Sequence, residues 1–271
     1  MSDFNSSNNY LFEIIKNKIK LFVIVGVVAV IVSVIISSPS IIAPKYKSSA
    51  VVYPSNLGEY SSESPIEQMI QWFESVEIKN NVIKENRLAD HYEIDPTDKL
   101  YHYYMFTVYD ENISISETRY ESAEIVVLDE DPEIALQIVN SIINNFNTVV
   151  REVRLKRVNE NYKIIKYKYD LITQQLDSLG VNKKELLMTE SSITRNDRVT
   201  NLLKEYVKTN ANLNDIKTLM NNNKTFTNVV VEPYVSHKKV YPVRWLIVVI
   251  SFVVSILLTF MTLLFANKIK E

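Results

Sequence analysis

The stretch VYPVRWLIVVISFVVSILLTFMTLLFA, residues 240–266, decides the fold of this 271-residue chain. From Trp245 to Ala266 it contains no charged residue. A helix needs about 20 mainly apolar residues to cross the hydrocarbon core of a bilayer. Because backbone polar groups in lipid must be satisfied within the segment, the run predicts a membrane-spanning helix. The alternative is a buried core helix, which the length and the missing charge disfavour.

A second apolar run lies near the start of the chain, at LFVIVGVVAVIVSVII, and continues weakly to Ala43. It is long enough to span a bilayer if Ser37, Ser38 and Pro39 lie near the interface. The alternative is a cleaved signal peptide. The apolar core of such peptides is shorter, about 7–15 residues, so we predict a second spanning helix.

The two runs divide the chain into five parts. We expect a cytoplasmic N-terminal tail over 1–20, a spanning helix over 21–43, a central domain over 44–243, a spanning helix over 244–266 and a cytoplasmic C-terminal tail over 267–271. Lysines flank the outer ends of both runs, but basic residues also flank the inner ends, so the charge rule is nearly balanced. We place the central domain outside the cytoplasm because long domains translocate largely regardless of charge.

Composition disfavours several classes of function. The 30 basic and 32 acidic residues give a net charge of −2, which offers no reason to expect nucleic-acid binding. Three glycines are too few and too scattered for a phosphate-binding loop or a dinucleotide fingerprint. The three histidines lack zinc-ligand spacing, and the chain has no cysteine. We therefore expect no catalytic residues, no cofactor and no metal, and so no enzyme.

The central domain begins with strand and helix signals. The segment KYKSSAVVYPS, Lys45–Ser55, alternates as a strand does. Ser64 then precedes a proline and lies three residues before Glu67, which is the pattern of a capping box at the start of a helix. A second helix is predicted over Val76–Leu88. We expect Tyr101, Tyr103 and Tyr104, which follow it, to lie on a strand or at a core edge, and we assign them no binding role.

A hairpin and a long helix come next. Two alternating segments in NISISETRYESAEIVVLDEDP, residues 112–132, are joined by a polar stretch and predict paired strands. Asp131 is a suitable helix N-cap with Pro132 at the first helical position. Near the end of the domain, Val229–Val231 predicts a buried strand, whose expected partner is the strand beginning at Lys45.

The long helix carries a heptad pattern of apolar residues whose steps alternate between three and four. Its members are Leu155, Val158, Tyr162, Ile165, Tyr169, Ile172, Leu176 and Leu179. The pattern ends at Gly180, as suits a helix C-terminus, and a second seam runs from Val199 to Met220. Two seams separated by a break predict either an antiparallel helical pair or helices that pack on neighbouring subunits. We call the first set the heptad seam and hypothesise that it supports oligomerisation, within a helical extension over about 132–222.

The order of these elements resembles the Wzz chain-length determinant family, the polysaccharide co-polymerases. The stretch KYKSSAVVYP is similar to the first strand of the family. The most specific match is a strand ending in an acidic turn, followed by Asp131, Pro132, Ala135 and the pair Val139–Asn140. The prolines before the last span are represented by Pro233 and Pro242, fewer than in relatives. Pro242 is the expected membrane-proximal proline.

The resemblance implies a bacterial inner-membrane protein whose large domain faces the periplasm. Its fold class would be an α+β membrane protein, with two transmembrane helices flanking a small mixed sheet and long coiled-coil-like helices. Relatives form rings and set the length of O-antigen or related surface glycans without catalysis. The implied partners are further copies of the chain, an integral-membrane polymerase, lipid-linked glycan and the membrane.

Two other functions stay open at this point. One is a polysaccharide export component of related architecture, which would move a finished capsule. The other is a two-span envelope sensor or scaffold, which would need an output domain beyond the NKIKE that follows the second run.

Overall fold

The computed structural model describes residues 16, 18–57, 62–180, 197–221 and 224–268 of the chain. In chain order the helices are α1 (Ile19–Ile36), α2 (Pro65–Phe73), α3 (Val76–Glu85), α4 (Leu88–His91), α5 (Tyr101–Asn112), α6 (Pro132–Ser178), α7 (Asp197–Asn221) and α8 (Arg244–Lys268). The strands are β1 (Lys45–Pro54), β2 (Ile113–Glu117), β3 (Ala123–Asp129), β4 (Thr227–Val231) and β5 (Lys239–Tyr241).

Strand β1 lies at the centre of a five-stranded sheet in the order β2-β3-β1-β4, with β5 also paired to β1. The expected pairing of β1 with the Val229–Val231 strand is confirmed, with Val52 opposite Val229. The expectation of a mixed sheet is wrong, because every strand pairing among the described residues is antiparallel. Strands β3 and β4 are each antiparallel to β1 and so point in the same direction. Because β1 lies between them, they form no parallel pair.

The hydrophobic core fills the space between one face of this sheet and the helices. Ala50 and Val52 of β1 are fully buried, and so are alternate residues of β3. Helix α6 covers them with its first five turns, where Ile142 and Phe146 are fully buried. The ring of Phe73 in α2 packs on Phe146 at 4.6 Å between centroids. The first part of the long helix is therefore a core element.

The long helix is 47 residues long and continues beyond the core. Asp131 caps its N-terminus by accepting a hydrogen bond of 2.8 Å from the backbone N–H of Glu133, as predicted. The predicted end at Gly180 is also confirmed. That residue has φ +68°, in the left-handed region that glycine adopts at little cost. Helix α7 then packs antiparallel against the outer part of α6, so the chain forms a helical hairpin.

Two local predictions differ from the structure, and one strand was not predicted. The helix predicted over Val76–Leu88 breaks after Glu85, because Arg87 has a left-handed backbone with φ 50°. The tyrosines near residue 101 lie on helix α5 and not on a strand. Tyr101 is half-buried at the edge of the core, as expected, whereas Tyr103 and Tyr104 are exposed. Their aromatic side chains favour strands, and Leu100 offers no side-chain cap, so no local signal indicated a helix. Strand β5 has only three residues and was not predicted.

Candidate functional site at the membrane-facing base

Helices α1 and α8 are long and apolar enough to cross a membrane. The most apolar 18-residue window of α8 is only 6% buried, and that of α1 is 17% buried. The alternative of a buried core helix for residues 245–266 is therefore wrong. Exposed apolar surface over this length would be unstable in water, which favours a lipid environment for both helices.

The two apolar helices pack against each other at Gly26. A Cβ atom at this position would lie 2.8 Å from Cε2 of Phe252, closer than carbon atoms approach. Glycine thus allows the aromatic ring of α8 to approach the backbone of α1. Small residues at helix contacts serve this purpose in membranes, where packing replaces the hydrophobic effect as a source of association.

Both helices join the sheet at the same end. Strand β1 begins at Lys45, soon after α1, and Lys45 pairs with Tyr241 of β5, just before α8. Pro242, the predicted membrane-proximal proline, is buried between β5 and α8 and follows a cis peptide bond. We call this end of the domain the base. It contains a groove of about 800 Å³ that is bordered by β1, β5 and the first turn of α8.

A buried carboxylate holds the elements of the base together. The side chain of Asp129, at the end of β3, has no exposed surface. It lies 2.8 Å from Nε2 of His91 and accepts hydrogen bonds from the hydroxyl of Tyr92 at 2.6 Å and the backbone N–H of Asp131 at 2.9 Å. Burial raises the pKa of Tyr92, and the hydrogen bond to Asp129 raises it further. We call these four residues the Asp129 junction.

The Asp129 junction connects the sheet, the α4 segment and the start of α6. Its carboxylate has donors on both oxygens, which is how a buried charge is stabilised. Within the described ranges, no group of three or more His, Cys, Asp and Glu residues is suited to hold a metal ion. The hydrogen bonds of the junction link the end of β3 to the α4 segment and to the residue that caps α6. Sequence reasoning missed it because its partners are about 40 residues apart and share no local pattern.

The heptad seam lies along the face of α6 that meets α7 of the same chain. Ile172 and Leu176 are buried there, and Val199, Leu202, Leu203 and Tyr206 of α7 pack against them. Nearer the core, Leu155, Val158, Tyr162, Ile165 and Tyr169 are half-buried, whereas Leu179, at the end, is 46% exposed. Of the two arrangements predicted from the seams, the structure shows the antiparallel helical pair. The role of the heptad seam in oligomerisation stays a prediction.

Two tyrosines mark the middle of this helical hairpin. The rings of Tyr169 and Tyr206 stack at 5.2 Å between centroids, and their hydroxyl oxygens are 2.9 Å apart. This hydrogen bond, with some burial, raises the pKa of Tyr206 to about 12. An ion pair of 2.8 Å between Lys168 and Glu205 lies beside them. The outer hairpin is thus held by one apolar seam with polar contacts along its edge.

A different face of α6 carries apolar residues that are exposed to solvent. Ile164 is 65% exposed, Tyr167 68% and Leu171 40%. Their spacing of three and four residues places them on one side of the helix. We call this set the outer strip. Its apolar pattern in the sequence is weaker than that of the heptad seam, because the outer strip has only three members.

Residues 9–93 match the model of the Wzz family, described as chain length determinant protein. The resemblance to the Wzz family is confirmed. The Wzz match covers α1, β1 and the helices α2 to α4, and it includes His91 and Tyr92 of the junction. No curated protein sequence gives a significant match to the chain.

Solved structures similar to this chain include polysaccharide co-polymerases. One, a full-length bacterial polysaccharide co-polymerase, has a TM-score of 0.43 and 11% identity, and the match covers 96% of this chain and 97% of that one. A fragment of WzzB from Salmonella Typhimurium has a TM-score of 0.37 and 14% identity, with 73% and 100% covered. The Shigella flexneri O-antigen chain-length regulator WzzBSF, wild type, has a TM-score of 0.27 and 10% identity, with 71% and 99% covered.

Proposed function

We propose that this chain regulates the length of a surface polysaccharide, such as O-antigen or capsule, as a membrane-anchored scaffold that makes and breaks no bonds. The match of residues 9–93 to the Wzz family carries this proposal. The arrangement of the base supports it, because two apolar helices leave one end of the domain side by side. A domain held in this way stays close to a polymerase embedded in the same membrane.

The proposed location is the bacterial inner membrane, with α1 and α8 spanning it and the body, over 44–243, in the periplasm. The short tails over 1–20 and 267–271 would then lie in the cytoplasm. Helix α1 ends and α8 begins at the base, and the two helices pack against each other, so they run in opposite directions. This arrangement supports the topology, since it corresponds to two crossings in opposite directions. The proposed partners in this membrane are the polymerase and its lipid-linked glycan.

The scaffold is proposed to act as a homo-oligomeric ring. A heterologous contact between identical subunits that closes on itself produces a ring. The outer strip supports this assembly better than the heptad seam, because α7 of the same chain already packs on the seam. Burying the three side chains of the strip against a neighbour would remove exposed apolar surface that water disfavours.

Assembly is tested by crosslinking the full chain in detergent. We expect Tyr167→Glu to abolish the oligomeric species, because it places a charge in the centre of the outer strip. Asn159→Glu is the matched control, because it adds the same charge at an exposed position of α6 that is not three or four residues from any member of the outer strip. It should leave the oligomer intact. A wild-type chain that stays monomeric at every concentration contradicts the ring.

Function is tested by the length distribution of surface polysaccharide on a gel, in a strain that lacks the gene and in the same strain complemented. We expect the modal length to disappear on deletion, to return with the wild-type gene, and to stay absent with Tyr167→Glu. Glycan accumulating inside the cell would instead indicate an export component. An unchanged length distribution with normal export contradicts the proposal and leaves the sensor or scaffold alternative.

A further inference from the structure

The groove at the base carries an excess of positive charge. Lys47, Lys238, Lys239 and Arg244 line it, and no Asp or Glu is among its lining residues in the described chain. Lys47 is partly neutralised by Glu124, whose carboxylate is 3.6 Å from its Nζ. Lys238, Lys239 and Arg244 make no ion pair with a described residue. Three cationic groups thus face the groove without a counter-charge.

Arg244 has a further feature that points to a missing partner. Its Nε atom is buried and lacks a hydrogen-bond partner within the described ranges. A buried donor without an acceptor is costly, and native proteins rarely leave one without water, an ion or a ligand. A guanidinium group binds phosphate oxygens through two parallel hydrogen bonds, so a phosphate is the acceptor that fits this site best.

The position of the groove at the membrane-facing end of the body indicates a lipid headgroup as the source of the phosphate. Arg244 is the first residue of α8, and Trp245 begins the charge-free run and also borders the groove. Tryptophan concentrates at the level of lipid headgroups, and arginine extends its charged end to the same depth. Headgroup phosphates therefore lie within reach of the groove when α8 spans a bilayer.

We propose that the groove of Lys238, Lys239 and Arg244 binds the phosphate headgroup of an anionic phospholipid at the outer face of the inner membrane. This inference rests on the membrane topology proposed above. It also explains why basic residues are present on the side of the spans where the charge rule does not favour them. An anionic headgroup neutralises them and fixes the height of the body above the bilayer.

The test measures lipid preference at Trp245 in the full chain. Trp72 is replaced by phenylalanine, which leaves Trp245 as the sole tryptophan of the two in the chain. The protein is placed in phosphatidylcholine nanodiscs with trace pyrene-labelled phosphatidylglycerol or phosphatidylcholine. Energy transfer from Trp245 then reports the local enrichment of each lipid. We expect enrichment of phosphatidylglycerol and a decrease of about fivefold for each basic residue removed, which corresponds to about 1 kcal/mol.

Lys238→Gln/Lys239→Gln is the test variant, because both side chains are exposed and their loss leaves the fold intact. Lys156→Gln/Lys163→Gln, with the same charge change on the exposed face of α6, is the matched control. Equal enrichment of the two lipids in the wild-type chain, or an equal loss in the two variants, overturns the proposal. Arg244→Lys keeps the charge but loses the bidentate geometry, and we expect an intermediate enrichment.

Two competitors distinguish other sources of phosphate. Inorganic phosphate should not displace phosphatidylglycerol if the lipid is the ligand, whereas displacement by phosphate alone contradicts a lipid site. A polyprenyl diphosphate that displaces phosphatidylglycerol at equal concentration would assign the groove to the carrier lipid of the glycan and overturn the proposal. These measurements use no polysaccharide, so their failure is separate from failure of the length-regulation test.

Discussion

Replacement of Asp129 by asparagine is the most informative test of how the body is built. The carboxylate is fully buried and has three donors between 2.6 and 2.9 Å. A hydrogen bond to a charged group contributes about 1.5–3 kcal/mol. Asparagine keeps one acceptor oxygen and replaces the other by an amide N–H₂, which faces the hydroxyl of Tyr92. The Tyr92 hydroxyl must then reorient to accept a hydrogen bond from the amide. The contacts with His91 and with the backbone N–H of Asp131 lose the negative charge.

We therefore expect Asp129→Asn to lower the free energy of unfolding by about 2–3 kcal/mol, equivalent to one lost charged hydrogen bond. Asp129→Ala, which leaves three donors without an acceptor, should cost about 3–5 kcal/mol. For a domain of this size, 1 kcal/mol shifts the melting temperature by roughly 2–4 °C. The asparagine variant should thus melt about 4–12 °C below the wild type.

The assay is thermal unfolding of the full chain in detergent, followed by circular dichroism. Glu130→Gln, the neighbouring exposed residue with the same change of charge, is the control. It should change the stability by less than about 0.5 kcal/mol. If Asp129→Asn melts at the same temperature as the wild type, the hydrogen bonds of this carboxylate do not hold the base together.

Three further predictions concern other parts of the chain. Gly26→Leu should lower the melting temperature in detergent by several degrees, because overpacking at the α1–α8 contact costs about 1–3 kcal/mol. Ser64→Ala should cost about 1 kcal/mol by removing the capping box of α2, seen as a smaller decrease in the same experiment. Tyr169→Phe should lower the pKa of Tyr206 from about 12 toward 10 in a titration of labelled tyrosine carbons by NMR.

Matched controls exist for each of these changes. Val28→Leu is on the exposed side of α1, Ser62→Ala lies outside the capping box, and Tyr162→Phe leaves the Tyr169–Tyr206 hydrogen bond intact. Because the raised pKa of Tyr206 favours its neutral form when folded, the stability of the hairpin should fall as pH rises from 10 to 12. A pKa of Tyr206 that does not change in Tyr169→Phe would contradict the hydrogen bond between the two tyrosines. A decrease in melting temperature no larger than that of its control would contradict the contact at Gly26 or the capping box at Ser64.

Local signals predicted much of this fold. The capping box at Ser64, the cap at Asp131 and the end at Gly180 each depend on residues close in sequence, so their patterns were readable. The strand partner of Val229 could also be predicted, since β1 was the suitable strand near the first span. Helix α5 could not, because its aromatic residues favour strands and tertiary packing decides their conformation.

Less of the candidate site than of the fold could be predicted from the sequence. Pro242 was singled out, but the groove beside it is made by residues from β1 and from residues 234–245, which only the folded chain brings together. The two seams predicted either an antiparallel helical pair or packing on a neighbouring subunit, and the structure shows the antiparallel pair. A periodic apolar pattern gives the face of a helix that is buried and leaves its partner unspecified.

The most direct test of the account is the membrane topology of the full chain. Since the chain has no native cysteine, single cysteines can be placed by Ser62→Cys in the body and Lys16→Cys in the N-terminal tail. In intact spheroplasts, a membrane-impermeant maleimide should label Cys at position 62 at once and Cys at position 16 only after the membrane is permeabilised. Labelling of both positions without permeabilisation, or of neither, would contradict a body anchored outside the cytoplasm by two spanning helices.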